Sequence, residues 1–106
     1  MTIEELLLKI QAFRDARDWK QFHSPENLAK SIAIESAELL ECFQWNDQYE
    51  KKELESEMAD VFTYLLLLAD SANIDLGQAV IEKLSESDRK YPVAKAKGNS
   101  LKYDRL

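Results

Sequence analysis

With 106 residues, two glycines, two prolines and a single cysteine, Cys42, the chain has the size of one helical domain, excludes an intrachain disulfide and suits a reducing compartment. Its net charge of −6 is unevenly spread: from Asp88 onward six basic residues stand against two acidic ones, a tail of +4 that leaves −10 on the rest. So acidic a body repels a nucleic-acid backbone, and the longest apolar run, "VFTYLLLLA", is about half of what a bilayer span requires, so neither nucleic acid nor membrane is an expected partner. The start, "MTIEELLLKI", is acidic and amphipathic rather than a signal peptide, and the expected location is the cytoplasm.

Abundant Leu, Ala, Glu and Lys point to an all-α fold, and four helices follow from the spacing of apolar residues. The first opens with a capping box, Thr2 with Glu5, carries Ile3, Leu6, Leu7, Ile10 and Phe13 on one face, and is expected to end near Arg17. Ser24 as N-cap and Pro25 at the first helical position start a second that runs to about Phe43. "QWND" makes a turn, and the third helix extends from Asp47 or Gln48 to about Ala72. Asp75 caps the fourth, which stops before Tyr91-Pro92 because proline disfavours helical geometry in the preceding residue. Residues from about 92 to 106 read as a basic tail without periodicity, and residues 1–106 as one domain. No internal repeat or low-complexity segment interrupts it.

Helices two and three share an unusual feature. Glu35 and Glu38 lie three apart, one turn from each other, in the apolar run "IAIESAELLECFQW". Glu57 and Asp60 repeat the device in "ESEMADVFTY", with Tyr64 one turn further along. If the helices pack antiparallel, the two pairs can face each other. Four converging carboxylates repel strongly unless they are protonated or bridged by cations. All-oxygen ligation suits Mg²⁺ or Mn²⁺ rather than zinc, and one His23 with one Cys42 cannot build a conventional zinc site. Spacing alone leaves a solvated acidic surface and a cation site both open.

The order of the blocks goes further. "ESAE" is followed after eighteen residues by "EMAD", and around them stand "RDWKQFHSPENLA", "ELLECFQW", "DVFTYLLLLA", "DLGQAVIEKL" and "KYPV". From about Arg17 to Tyr103 the chain resembles the MazG-like nucleoside triphosphate pyrophosphohydrolases, most closely their dCTP pyrophosphatase branch. The resemblance implies a four-helix fold assembling into a dimer or tetramer, with active sites near subunit contacts. It also implies Mg²⁺-dependent cleavage of a nucleoside triphosphate between the α and β phosphates, giving a monophosphate and pyrophosphate, as nucleotide-pool house-cleaning. Glu35, Glu38, Glu57 and Asp60 would hold Mg²⁺, which offsets the substrate's charge and acidifies a water. Either Glu35 or Glu38 could instead orient or deprotonate that water.

The same resemblance places Trp19, Trp45 and Tyr64 in the nucleotide pocket, with Phe22 and His23 as its wall. Read without it, each tryptophan is more at home in a core or interface. Lys83, Arg89, Lys90, Lys95 and Lys97 could reach phosphate oxygens, or simply form a solvated helix end and tail. Ser87 departs from the pattern, since the branch carries asparagine where "SDRKYP" has serine, and a hydroxyl cannot present an amide's paired donor and acceptor. Preference for dCTP or a modified relative therefore competes with dATP or broad deoxynucleotide specificity. Two other classes stay open: a non-catalytic helical interaction or regulatory protein on the same fold, and an all-α Mg²⁺ enzyme acting on a phosphorylated non-nucleotide.

Overall fold

The computed structural model describes residues 1–106 and is entirely helical. Five α-helices follow in order: α1 Ile3–Asp15, α2 Pro25–Glu41, α3 Lys51–Ser71, α4 Leu76–Lys90 and the short α5 Val93–Ala96, with 3₁₀ turns at Lys20–Phe22 and Tyr103–Arg105. The four long helices are those that the apolar spacing requires. Their starts follow the expected caps: the Glu5 amide donates to Thr2 Oγ1 at 3.1 Å, Asn27 to Ser24 Oγ at 3.2 Å and Gln78 to Asp75 Oδ1 at 3.0 Å. Each such cap stabilises its helix by about 1 kcal/mol.

Three boundaries differ from the sequence expectation, each for a local reason. Helix α1 ends at Asp15 rather than Arg17 because Asp18 adopts a left-handed conformation (φ 55°), which turns the chain so that the Trp19 amide donates to the Arg14 carbonyl at 3.2 Å. Helix α2 ends at Glu41 rather than Phe43, since the amides of Cys42, Phe43 and Gln44 bond three residues back and tighten the last turn. Helix α3 begins at Lys51, not at Asp47 or Gln48. Asn46 Oδ1 takes the Gln48 amide at 2.8 Å in a side-chain turn, and the Glu50 carboxylate caps the helix through the amides of Lys52 and Glu53 at 3.2 and 2.8 Å.

The chain divides into two compact units, residues 1–74 and 75–106. In the first, α2 and α3 form an antiparallel hairpin: Ser71 Oγ, at the end of α3, donates to the His23 carbonyl just ahead of α2 at 3.4 Å, while Glu38, further along α2, faces Glu57, earlier on α3. Helix α1 also packs against α3. Leu28 (1% exposed), Leu66, Leu67 and Ala69 make the core; successive Leu66 and Leu67 can both be buried because α3 has neighbours on two sides. Arg14, only 6% exposed, pairs with its neighbour Asp15 at 2.8 Å and joins α1 to α3 through Asp70 at 3.6 Å. A buried guanidinium is tolerated only with such partners.

In the second unit the tail, expected to lack regular structure, folds back on the end of α4. Tyr103 packs edge-on against Tyr91, ring centroids 6.1 Å apart, and takes Lys90 Nζ over its ring at 4.9 Å. No helix is long and apolar enough to cross a membrane.

Candidate active site

The antiparallel register of α2 and α3 decides the site. Three residues make slightly less than one helical turn, so Glu35 and Glu38 stack on one side of α2, and Glu57 and Asp60 on one side of α3. One carboxylate oxygen from each of the four lies within 4.8 Å of the others. Glu35 and Glu57 are half-buried and Glu38 and Asp60 exposed, so the cluster has a deep side and an open side. Glu35 Oε2 and Glu57 Oε2 are buried and make no hydrogen bond.

Such an arrangement is electrostatically unstable by itself. Two like charges at this separation repel by about 3–4 kcal/mol at the effective dielectric constant of a protein surface. The protein answers by holding protons: burial, reinforced by the neighbouring Glu38, Asp60 and Glu57, raises the Glu35 pKa from 4.5 to about 7. Burial and then Glu38 and Asp60 push Glu57 up as well. The half-buried Tyr64 hydroxyl is likewise made less acidic, by burial first and then by Glu35, Asp60 and Glu38. Four carboxylates with two orphaned buried oxygens fit a divalent cation that accepts hard oxygen ligands, and offer no nitrogen or sulfur for zinc.

The other residues singled out from sequence are distributed differently. Trp19 follows the α1 terminus, is 45% exposed and meets the edge of Phe13 with ring centroids 5.8 Å apart. Trp45 lies in the α2–α3 connection at 86% exposure, and Phe22 is exposed in the 3₁₀ turn. His23 is half-buried; burial first and then the nearby Arg14 lower its pKa, and its Nδ1 has no partner. Lys83 and Ser87 belong to α4 in the second unit. There Glu86 takes Lys83 at 3.5 Å and Lys90 at 3.0 Å, and the Ser87 carbonyl accepts the Tyr91 amide at 2.8 Å.

Sequence reasoning missed Arg14 and the grouping of Phe13, Arg17 and Trp19. The four-residue interval from Phe13 to Arg17 was a legible signal for the second; nothing local marks Arg14 as buried.

An all-helical chain whose central hairpin gathers four carboxylates, two of them with an unpartnered buried oxygen, presents a candidate divalent-cation site between two helices. The chain belongs to the MazG-like family, whose model matches residues 30–106. It is 36% identical to dCTP pyrophosphatase 1 of Mus musculus over 115 aligned positions, covering 99% of this chain and 68% of that protein. The Homo sapiens dCTP pyrophosphatase 1 matches with the same identity and coverage. Among solved structures, a pyrophosphatase from Archaeoglobus fulgidus superposes with a TM-score of 0.80 at 48% identity, covering 84% of this chain and 91% of that one.

Proposed function

We propose that this pyrophosphatase hydrolyses a deoxynucleoside triphosphate between its α and β phosphates, with Mg²⁺ (or Mn²⁺) held by Glu35, Glu38, Glu57 and Asp60, and that dCTP or a modified relative is its preferred substrate. The observation that carries this reading is the carboxylate cluster itself: four oxygens within 4.8 Å of one another, two of the four side chains keeping a buried oxygen unpartnered. When bound, a divalent cation supplies charge neutralisation for the phosphates and a more acidic water. The chain's own part is to place ligands and manage protons. Glu35, with a pKa near 7 in the ligand-free protein, and its neighbour Glu38 are the groups suited to orient an attacking water or accept its proton. No side-chain nucleophile is needed. The relatives named as dCTP pyrophosphatases support the choice of nucleotide.

Trp19 and Trp45, both substantially exposed, are suited to stack a base, with Phe22, His23 and Tyr64 as further wall; Lys83 and Ser87 lie in the second unit. Ser87 favours the second reading, dATP or a broad set of deoxynucleotides, because a hydroxyl discriminates base edges less than an amide. The proposed assembly is a homodimer or homotetramer: Ile34, Leu40, Met58 and Phe62 leave large apolar surface exposed on α2 and α3, and light scattering on the purified protein measures it.

The deciding experiment incubates the protein and Mg²⁺ with a panel of canonical and modified nucleotides and separates the products. Monophosphate with pyrophosphate is expected. Orthophosphate release means that another bond is cut, and no turnover of any nucleotide returns the chain to a non-catalytic role.

A further inference from the structure

Trp19 is held by its neighbours in a way that the proposed chemistry does not itself require. Helix α1 ends in a left-handed Asp18, which folds the chain back so that the Trp19 amide reaches the Arg14 carbonyl at 3.2 Å. This reversal sets the indole beside Phe13, edge to face, with centroids 5.8 Å apart and the rings at 73°. The other partner of Phe13 is Arg17. Its guanidinium carbon lies 3.6 Å from the Phe13 ring centroid and 5.9 Å from the Trp19 ring, while its Nη1 donates to the Phe13 carbonyl at 2.9 Å. The guanidinium thus closes the orphaned end of α1 and clamps the benzyl ring in one gesture. Gln21 bonds both the carbonyl and the carboxylate of Asp18, at 2.9 and 3.2 Å, and so braces the reversal from the other side.

Three exposed side chains contact one another here outside the core. Fixing an exposed arginine and two exposed rings costs side-chain entropy, which cation–π and aromatic pairing offset only modestly at the surface. What the arrangement does achieve is an indole with one side braced and close to half of its surface open. We infer that Arg17 and Phe13 are positioning residues for Trp19, a guanidinium–phenyl brace that sets the indole for stacking on a nucleobase. The inference rests on the reading of Trp19 as a base contact and adds the residues through which that contact is made. A preordered ring binds a flat heterocycle without first losing its own rotamer freedom, so the brace acts on substrate affinity rather than on the chemical step.

The test compares steady-state kinetics of the full-length protein with Mg²⁺ and the nucleotide turned over fastest in the panel, for Trp19→Ala, Phe13→Leu, Phe13→Tyr, Arg17→Ala and Arg17→Lys. Stacking on an aromatic side chain supplies enough binding energy that losing it altogether raises KM roughly tenfold or more. Phe13→Leu and Arg17→Ala are expected to raise KM about threefold to tenfold with kcat within about twofold. Phe13→Tyr restores wild-type KM because the ring is kept. Arg17→Lys does not, because an ammonium lacks the planar face and the fork. In a Trp45→Phe background Trp19 is the sole tryptophan, and acrylamide quenching of its fluorescence should rise in Phe13→Leu and Arg17→Ala without nucleotide. Should Trp19→Ala raise KM while Phe13→Leu and Arg17→Ala leave it unchanged, the brace is refuted and the base contact stands. Should Trp19→Ala itself leave KM unchanged, the base-contact reading falls and the brace with it. If Phe13→Leu proves unstable, Arg17→Ala decides, since its side chain is exposed.

Discussion

Replacing Glu35 by glutamine probes the site before any substrate is added. In the cation-free protein the Glu35 pKa stands at about 7 against 4.5 when unperturbed, so the native state resists ionising it. Below about pH 4.5 the group is protonated in both folded and unfolded chains and contributes nothing. Between 4.5 and 7 the native state binds more protons, so stability falls as pH rises; above 7 the whole penalty persists. The full difference corresponds to about 3 kcal/mol at 1.36 kcal/mol per pH unit. Because Glu38 and Asp60 leave one side of the cluster in water, screening reduces this to about 1–2 kcal/mol. Glu35→Gln removes the charge at nearly constant volume. In chelator at pH 8 the variant should melt about 5–10 °C above wild type, and the gap should close near pH 4.5. Adding millimolar Mg²⁺ should then raise the wild-type melting temperature and move the variant far less. Differential scanning fluorimetry across pH, with and without Mg²⁺, reads both effects. A variant less stable than wild type at pH 8 in chelator, or one stabilised by Mg²⁺ as much as wild type, refutes mutual repulsion relieved by a cation.

Glu38→Gln and Asp60→Asn should each lower kcat at least a hundredfold while circular dichroism shows unchanged helix content, since both side chains are exposed and carry no packing. Trp45→Ala should raise KM with little change in urea midpoint, because a ring 86% exposed contributes almost nothing to the core; a large loss of stability would make it structural. Leu28→Ala, at the most buried large side chain, should cost about 2–5 kcal/mol, read as a lower urea midpoint at unchanged slope. Arg14→Met should unfold at a urea concentration close to that of wild type, because replacing a buried charge by a packed apolar chain also removes its desolvation cost, whereas Asp70→Ala should be the more damaging change.

The sequence by itself determined the four long helices and three of their caps, because apolar spacing and the side chains of Thr2, Ser24 and Asp75 act within one or two turns. It also determined that two acid pairs would occupy one side each of α2 and α3, since that depends only on helical pitch. Whether the pairs would meet was a question of register between helices, and only the packing of α2 on α3 brought four oxygens within 4.8 Å. Tertiary structure likewise decided which atoms lost their water: Glu35 Oε2 and Glu57 Oε2 are buried without a hydrogen-bond partner, and the buried Arg14 finds an ion-pair partner in Asp70, 56 positions away. The end of α1 and the start of α3 moved by two to four residues where a single residue, Asn46, Glu50 or the left-handed Asp18, competed with the helix for a backbone amide or reversed the chain. Local rules see nearest neighbours along the chain, and burial depends on neighbours in space.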